Sequence, residues 1–280
     1  MTEIGSPEIE SHGISRAGKV REDNQDAIRF WRPDDLSQKY GPLYGIADGM
    51  GGYAHGGVAS SLALETFFDT FYKSNGISVP QKLRLGVQNA NMGIYQTAQR
   101  LGVSRMGTTL TAVNLVGKTL NLVHVGDSRA YLIRDNLAKC LTNDHTRVGE
   151  MVRMRMLSPD KVRTHAQRSV LEKCLGVGLF VTPDIFNVQV RDGDIIVLCT
   201  DGVWSVIQDA EFAQLAAASG GPEDLSRQIY EMAMERDSDD NLSIISIYIR
   251  RLAADSPDLT SPPPWPLRLI RRLLARPGEI

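Results

Sequence analysis

Apolar runs of two different periods divide this 280-residue chain into strands and helices. Short runs separated by turn signals predict strands at residues 13–17, 27–31, 43–47, 110–115, 120–125, 130–133, 138–141, 185–190, 195–199 and 242–249. Broad apolar faces at helical spacing predict helices at residues 58–72, 80–101, 210–218 and 223–236. Tight turns join the strands between 108 and 141 into an antiparallel meander. Strands and helices therefore occur in separate blocks, which favours an α+β fold over a βαβ sheet.

One folded domain is predicted over residues 13–252, between two ends of different composition. Residues 1–12 are polar, which predicts a flexible N-terminal lead-in. Residues 144–164 are charged and rich in methionine, which predicts a mobile excursion with a short helix outside the core. Residues 253–280 combine a proline-rich linker with a short basic amphipathic stretch. For that tail, three interpretations stay open: docking to a partner, contact with an anionic membrane, and a disordered end.

Charge and cysteine content exclude several classes of protein. The formal net charge of −2 gives no general attraction to nucleic acid or to anionic membranes. An odd count of three cysteines, Cys140, Cys174 and Cys199, predicts reduced thiols in the cytoplasm. The polar N-terminus is unlike a signal peptide, and no run approaches the roughly 20 apolar residues of a membrane span. We expect a cytoplasmic protein, and nothing in the sequence demands a dimer.

Four aspartates beside strand-like runs predict a metal site. Asp48, Asp127 and Asp201 follow such runs, and Asp240 precedes one. Carboxylates at strand ends meet in a common cleft if their strands share a core. Hard oxygen ligands without a Cys/His pattern favour Mg²⁺ or Mn²⁺ over zinc. Two such ions about 3.5–4 Å apart can turn a shared water into a hydroxide that attacks phosphorus.

Three residues of this predicted site have distinct roles. Asp48 is the candidate bridge between two metals, and Gly49 leaves its own carbonyl unshielded by a side chain. Arg21 is the best candidate for a two-pronged phosphate clamp. The plainer interpretation of Arg21 is a surface ion pair with Glu22 or Asp23.

Other interpretations of these motifs are weaker. A single surface aspartate is usually a turn residue or a helix cap. The glycine-rich block from Gly49 to Gly52 does not have nucleotide-loop spacing, because Ala54 occupies the last glycine position. No cysteine is followed by an arginine at the spacing of a cysteine phosphatase, Cys-x₅-Arg.

Seven short motifs, taken in their order along the chain, resemble those of one known family. They lie at residues 20–26, 47–52, 106–109, 124–131, 141–145, 200–202 and 240–241. Together they are similar to the metal-dependent serine/threonine protein phosphatases of the PP2C (PPM) class in their bacterial form. The resemblance covers about residues 13–249, nearly all of the predicted domain.

The resemblance implies a fold and a set of site residues. The implied fold is a sandwich of two packed antiparallel sheets flanked by helices, with two Mn²⁺ or Mg²⁺ ions at one end. Asp48 would bridge these ions, Gly49 would offer a carbonyl to one, and Asp201 and Asp240 would complete the other. The implied roles of the remaining residues are metal-bound water for Asp26, a third, weaker metal for Asp127, substrate phosphate for Arg21, and a flap that shapes substrate access for residues 144–168.

The implied activity is hydrolysis of phosphoserine and phosphothreonine in proteins, opposing a bacterial serine/threonine kinase in signalling or secretion control. Two alternatives are a non-catalytic pseudophosphatase that binds phosphoproteins and a hydrolase of small phosphomonoesters. One departure concerns the general acid. Met50 stands where eukaryotic relatives carry a histidine, and a thioether cannot donate a proton. Metal-bound water or another group must therefore protonate the leaving oxygen.

Overall fold

The computed structural model describes residues 7–31, 40–51, 55–103 and 105–252. In these residues the strands form two antiparallel sheets. The first sheet has the order β1 (Glu8–Arg16), β11 (Leu242–Arg251), β10 (Ile195–Cys199), β7 (Arg129–Arg134) and β8 (Leu137–Cys140). The second has the order β2 (Asp26–Phe30), β3 (Leu43–Gly51), β5 (Leu110–Val116), β6 (Thr119–Val125) and β9 (Asp184–Gln189), with β4 (Met106–Thr108) pairing with the end of β3.

Helices cover the outer face of each sheet. Helices α1 (His55–Lys73) and α2 (Val79–Leu101) pack on the second sheet. Helices α5 (Asp209–Ala218) and α6 (Pro222–Glu235) pack on the first. The shorter helices are α3 (Arg147–Arg153) and α4 (Asp201–Trp204). No helix among the described residues combines the length and apolar character needed to cross a bilayer.

Three apolar layers hold these elements together. The middle layer lies between the two sheets and includes Tyr44, Ile46 and Ile245. The outer layers join each sheet to its helices, for example through Phe67 on one side and Phe212 on the other. The α-β-β-α sandwich and the α+β class predicted from the sequence are therefore confirmed.

The first strand begins earlier than predicted. β1 starts at Glu8, so the lead-in predicted for residues 1–12 is wrong for residues 8–12, and residues 1–6 lie outside the described part. Ile9 packs against the layer between the sheets, while Glu10 forms an ion pair with Arg250 of β11. Alternation of this kind is typical of a strand with one buried face, but the surrounding polar residues obscured it.

The predicted excursion at residues 144–164 contributes to the core. It contains the predicted short helix, α3, but Val148 is fully buried and Val162 nearly so. Both pack with Trp204 under the first sheet. The prediction that this segment lies outside the core is therefore wrong, because its scattered apolar residues are masked by charges in the sequence. The predicted tail at residues 253–280 lies outside the described residues.

Candidate metal and phosphate site

A cavity of about 840 Å³ opens at one end of the sandwich and collects most of the predicted site residues. Its lining includes Arg21, Asp48, Gly49, Asp127, Asp201 and Asp240. Asp26 lies behind this lining, on β2 directly opposite Asp48 of β3. Side chains far apart in the sequence therefore converge as the strand-end pattern predicts.

The backbone of Asp48 is fixed from several sides. β3 runs past Ala47 to Gly51, beyond its predicted end, because β4 pairs with residues 49–51. The Asp48 N–H donates to Thr109 Oγ1 at 2.9 Å, and the Asp48 carbonyl accepts from Thr108 Oγ1 at 2.8 Å. Because the N–H and carbonyl of Asp48 already form hydrogen bonds, its carboxylate is available to bind a ligand in the cavity.

Gly49 allows an unusually close approach of two chain segments. A Cβ atom on Gly49 would collide with the Gly56 carbonyl, and one on Gly56 would lie 2.7 Å from the Gly49 carbonyl oxygen. Both positions therefore require glycine. Because Gly49 has no Cβ, its own side chain does not shield its carbonyl from a cation.

Asp201 and Asp240 come from neighbouring strands of the first sheet. Asp201 opens α4 just after β10, and Asp240 precedes β11. Asp240 and Asp48 both lie close enough to Asp201 to affect the pKa of its carboxyl group. Asp240 Oδ2 accepts from Arg21 at 2.8 Å, and its Oδ1 accepts from the Asn241 N–H at 2.9 Å.

Asp127 belongs to a buried network that also involves the predicted flap. Its carbonyl accepts from Trp204 Nε1 at 2.8 Å, and the Arg129 guanidinium stacks 3.7 Å from the centre of the Trp204 ring. Arg129 in turn forms a two-pronged pair with Asp144 at 3.0 and 2.7 Å. The position of Asp127 is thus tied to the start of the 144–168 segment.

Burial and mutual repulsion raise the pKa values of the clustered carboxyl groups. Burial raises the pKa of Asp26 to about 7 and that of Asp201 to about 6, and nearby carboxylates add to both shifts. The pKa values of Asp48 and Asp127 are raised for the same two reasons. A cation placed among these oxygens would stabilise the ionised carboxylates.

The donor atoms fit a hard divalent cation. They are carboxylate oxygens and one backbone carbonyl, the ligands that Mg²⁺ and Mn²⁺ prefer. Asp26 Oδ1 and Asp201 Oδ1 are buried without a hydrogen-bond partner among the described residues. Within these residues, no three carboxylate, imidazole or thiol groups already surround one point closely enough to hold an ion. Both oxygens of Asp240 accept a hydrogen bond in this arrangement, and each keeps a further lone pair that can bind an ion.

Arg21 lies at the mouth of the cavity and pairs with Asp240. The plainer interpretation, a surface pair with Glu22 or Asp23, is not what forms. Its loop is held by Asn241, whose amide donates to the Ala17 and Asp23 carbonyls at 3.0 and 2.9 Å. The Arg21 side chain is 55% exposed, so a substrate can reach it from solvent.

Sequence reasoning missed several residues that shape the site. Thr109 and Asn241 position Asp48 and Arg21, and Ser169 and Leu171, just beyond the predicted flap, line the cavity. Thr109 and Asn241 belong to motifs that the sequence singles out, but their hydrogen-bond partners lie far away in the chain. No local signal marks Ser169 or Leu171.

The pKa of Asp26 leads to a testable pH dependence. Between about pH 4 and 7, the folded chain keeps a proton on Asp26 that the unfolded chain has released, so stability falls as pH rises through this window. Asp26→Asn removes this loss. In metal-free buffer its free energy of unfolding should rise relative to wild type across the window, by on the order of 3 kcal/mol.

Urea titrations at several pH values measure this difference. Asp237→Asn is the matched control, because the Asp237 side chain is 81% exposed. That variant should follow wild type throughout. A constant offset between Asp26→Asn and wild type from pH 4 to 8 would contradict the expected pKa of Asp26.

Known proteins of similar sequence and structure include serine/threonine phosphatases. A family model described as protein phosphatase 2C matches residues 17–234. The serine/threonine phosphatase stp of Listeria welshimeri is 27% identical over 235 residues, which cover 82% of this chain and 92% of that protein. The crystal structure of the Mycobacterium tuberculosis serine/threonine phosphatase PstP/Ppp has a TM-score of 0.77 at 29% identity, covering 87% of this chain and 99% of that one.

A further solved structure is similar and contains metal. It is the catalytic domain of the serine/threonine protein phosphatase PstP in complex with two manganese ions. Its TM-score is 0.74 at 28% identity, and the match covers 86% of this chain and 97% of that chain.

Proposed function

The chain belongs to the protein phosphatase 2C family, and on that premise we propose that it hydrolyses phosphoserine and phosphothreonine in proteins with two Mn²⁺ or Mg²⁺ ions. The observation that carries the proposal is the convergence of Asp48, Asp201 and Asp240 on one cavity beside Arg21. The two manganese ions in the similar PstP structure support the choice of metal.

Each acidic residue has a proposed place around the ions. Asp48 would lie between two ions, the Gly49 carbonyl would bind one, and Asp201 and Asp240 would bind the other. Asp127 would hold a third, weaker ion. When bound, these ions neutralise charge on the phosphoryl oxygens and lower the pKa of a water molecule towards neutrality.

The protein's own groups prepare the reacting phosphate. Arg21 would exchange its pair with Asp240 for two parallel hydrogen bonds to the phosphoryl oxygens, which orients the phosphorus above the carboxylates. Asp26 Oδ1, which has no partner among the described residues, would accept a hydrogen bond from water at the back of the site. Met50, which lines the cavity, cannot supply the proton that the leaving oxygen needs.

We place this activity in the cytoplasm, opposite a bacterial serine/threonine kinase, and expect the protein to be monomeric. The substrates would be the kinase's targets or the kinase itself. The three free thiols, Cys140, Cys174 and Cys199, support a reducing compartment.

The direct test is release of phosphate from a phosphothreonine peptide in Mn²⁺, with and without EDTA. We expect turnover in Mn²⁺, none in EDTA, and recovery when Mn²⁺ is added in excess. Full activity in EDTA would refute the proposal. Tight peptide binding without turnover would favour the pseudophosphatase, and a higher kcat/KM on p-nitrophenyl phosphate than on phosphopeptides would favour the small-ester hydrolase.

Arg21→Ala should lower kcat/KM on a phosphopeptide about 10- to 100-fold at saturating Mn²⁺. The loss corresponds to about 1.5–3 kcal/mol for hydrogen bonds to a charged group. Arg21→Lys should recover only part of it, because a lysine cannot make the two-pronged contact. Lys19→Ala is the control, since Lys19 pairs with the exposed Asp237. Equal effects of Arg21→Ala and Lys19→Ala would remove Arg21 from the phosphate site.

A further inference from the structure

One short segment next to the site exposes three large apolar side chains. Val177, Leu179 and Phe180 are 61%, 51% and 84% exposed, and Phe180 is the most exposed large apolar side chain among the described residues. Single exposed apolar residues are common, but a contiguous group of them marks an interaction surface. We call these three residues the apolar ridge.

The main chain of the ridge is held firmly against helix α2. Asn91, which is fully buried, donates to the Gly178 and Leu179 carbonyls at 2.9 and 3.2 Å, and its Oδ1 accepts from the Gly176 N–H at 2.8 Å. The Val181 carbonyl accepts from Gln88. Because these backbone groups bind the helix, the ridge side chains are left facing solvent.

Buried residues anchor both ends of the segment. Leu175 pairs with Thr108 through two backbone hydrogen bonds, and Val181 packs into the layer under α1 and α2. Gly176 has a φ of +90°, and a Cβ there would collide with Ile94 of α2. The ridge is therefore built into the fold, and little conformational entropy remains to be lost when a partner binds.

The ridge is continuous with the proposed catalytic cavity. A side chain on Gly107 would contact both Met50 Cε and Val177 Cγ2, within 3.3 Å of each, so these two groups lie side by side. Met50 lines the cavity two residues after Asp48. An apolar surface thus begins at the cavity edge and extends outwards along the ridge.

We propose that the apolar ridge binds a large apolar side chain of the phosphoprotein substrate, close in sequence to the phosphorylated residue. This inference rests on the proposed phosphatase activity. An extended peptide advances about 3.3 Å per residue, so residues a few positions from the phosphorylated one can reach a surface that adjoins the cavity. Because apolar area buried between the ridge and the peptide stabilises their complex, substrates with leucine or phenylalanine there are preferred over those with alanine.

The test uses two phosphothreonine peptides and one small ester. A scan of the four residues on each side of the phosphothreonine first finds the position where leucine raises kcat/KM most. The two peptides then differ only at that position, where one carries leucine and the other alanine. For wild type we expect kcat/KM to be about tenfold higher for the leucine peptide. Phe180→Ala combined with Val177→Ser should abolish that preference, while turnover of the alanine peptide and of p-nitrophenyl phosphate stays unchanged.

Leu137→Ala is the matched control, because Leu137 is 73% exposed and lies at the start of β8, away from the cavity lining. It should keep the wild-type preference. Three outcomes overturn the proposal: no wild-type preference at any scanned position, an equal loss on all three substrates in the ridge variant, or an unchanged preference in that variant. A wild-type dimer that the ridge variant converts to monomer, with peptide kinetics unaltered, also overturns it by making the ridge a self-association surface.

The experiment separates this inference from the activity on which it depends. If wild type hydrolyses p-nitrophenyl phosphate but neither peptide, the proposed protein phosphatase activity fails and the ridge proposal fails with it. If both peptides are hydrolysed at equal rates, only the ridge proposal fails.

Discussion

Asp48→Asn is expected to lower kcat on a phosphothreonine peptide by about 10³-fold or more. The substitution removes the carboxylate proposed to lie between two ions, and a loss of about 4 kcal/mol of transition-state stabilisation gives this factor. Asp240→Asn should have an effect of similar size. Both are measured as phosphate release at saturating Mn²⁺.

Loss of fold does not explain the expected loss of turnover. Burial and the neighbouring carboxylates raise the pKa of Asp48 and disfavour its ionised form, so Asn at this position should leave the metal-free protein at least as stable as wild type. Thermal unfolding in EDTA checks that point. Asp237→Asn is the control for turnover, because Asp237 is exposed beyond the cavity lining. Near-wild-type rates in both Asp48→Asn and Asp240→Asn would refute the proposed centre.

The second large effect concerns stability. Asp144→Ala should lower the free energy of unfolding by about 3–5 kcal/mol. Asp144 forms the two-pronged pair with Arg129, and Arg129 is only 8% exposed. Without the carboxylate, a guanidinium stacked on Trp204 remains buried with part of its charge unpaired. Urea unfolding in metal-free buffer measures the loss.

Asp69→Ala supplies the matched comparison for Asp144→Ala. Asp69 pairs with Lys73 on the surface of α1, where both side chains are at least half exposed, and such pairs contribute about 0–1 kcal/mol. Asp144→Asn should fall between the two alanine variants, because it keeps the shape but loses the charge. A loss for Asp144→Ala no larger than that for Asp69→Ala would contradict the buried role of the pair.

Element types could be predicted where one period dominates. Helix α2 places Val79, Leu83, Val87, Ala90 and Ile94 three or four residues apart, and all of them are buried. Strand β11 is buried over nearly its whole length, and its apolar residues alternate with Ser243 and Ser246 in the predicted strand 242–249. These patterns are local, so the sequence alone reveals them.

The missed elements depend on partners elsewhere in the chain. β4 has only three residues and forms because Met106–Thr108 meets the end of β3. The start of β1 is polar and becomes a strand by pairing with β11. Val148 and Val162 are single apolar residues among charges, and only tertiary packing shows that they are buried.

In the site, too, local patterns could be predicted and contacts between distant residues could not. The aspartates could be predicted because each stands at the end of a recognisable strand, and the family resemblance orders them. The pair between Arg21 and Asp240 joins residues 219 positions apart, and no spacing rule predicts it. The apolar ridge is equally invisible in the sequence, where a Gly-Val-Gly-Leu-Phe run reads as an ordinary buried segment.

The most direct test of the metal centre is a crystal structure from crystals grown in Mn²⁺, with anomalous scattering measured at the manganese absorption edge. Our account predicts two strong peaks about 3.5–4 Å apart, both beside Asp48, with Gly49 O on one and the Asp201 and Asp240 carboxylates on the other. An anomalous map without a pair of peaks in this cavity, from crystals of an active preparation, would contradict it.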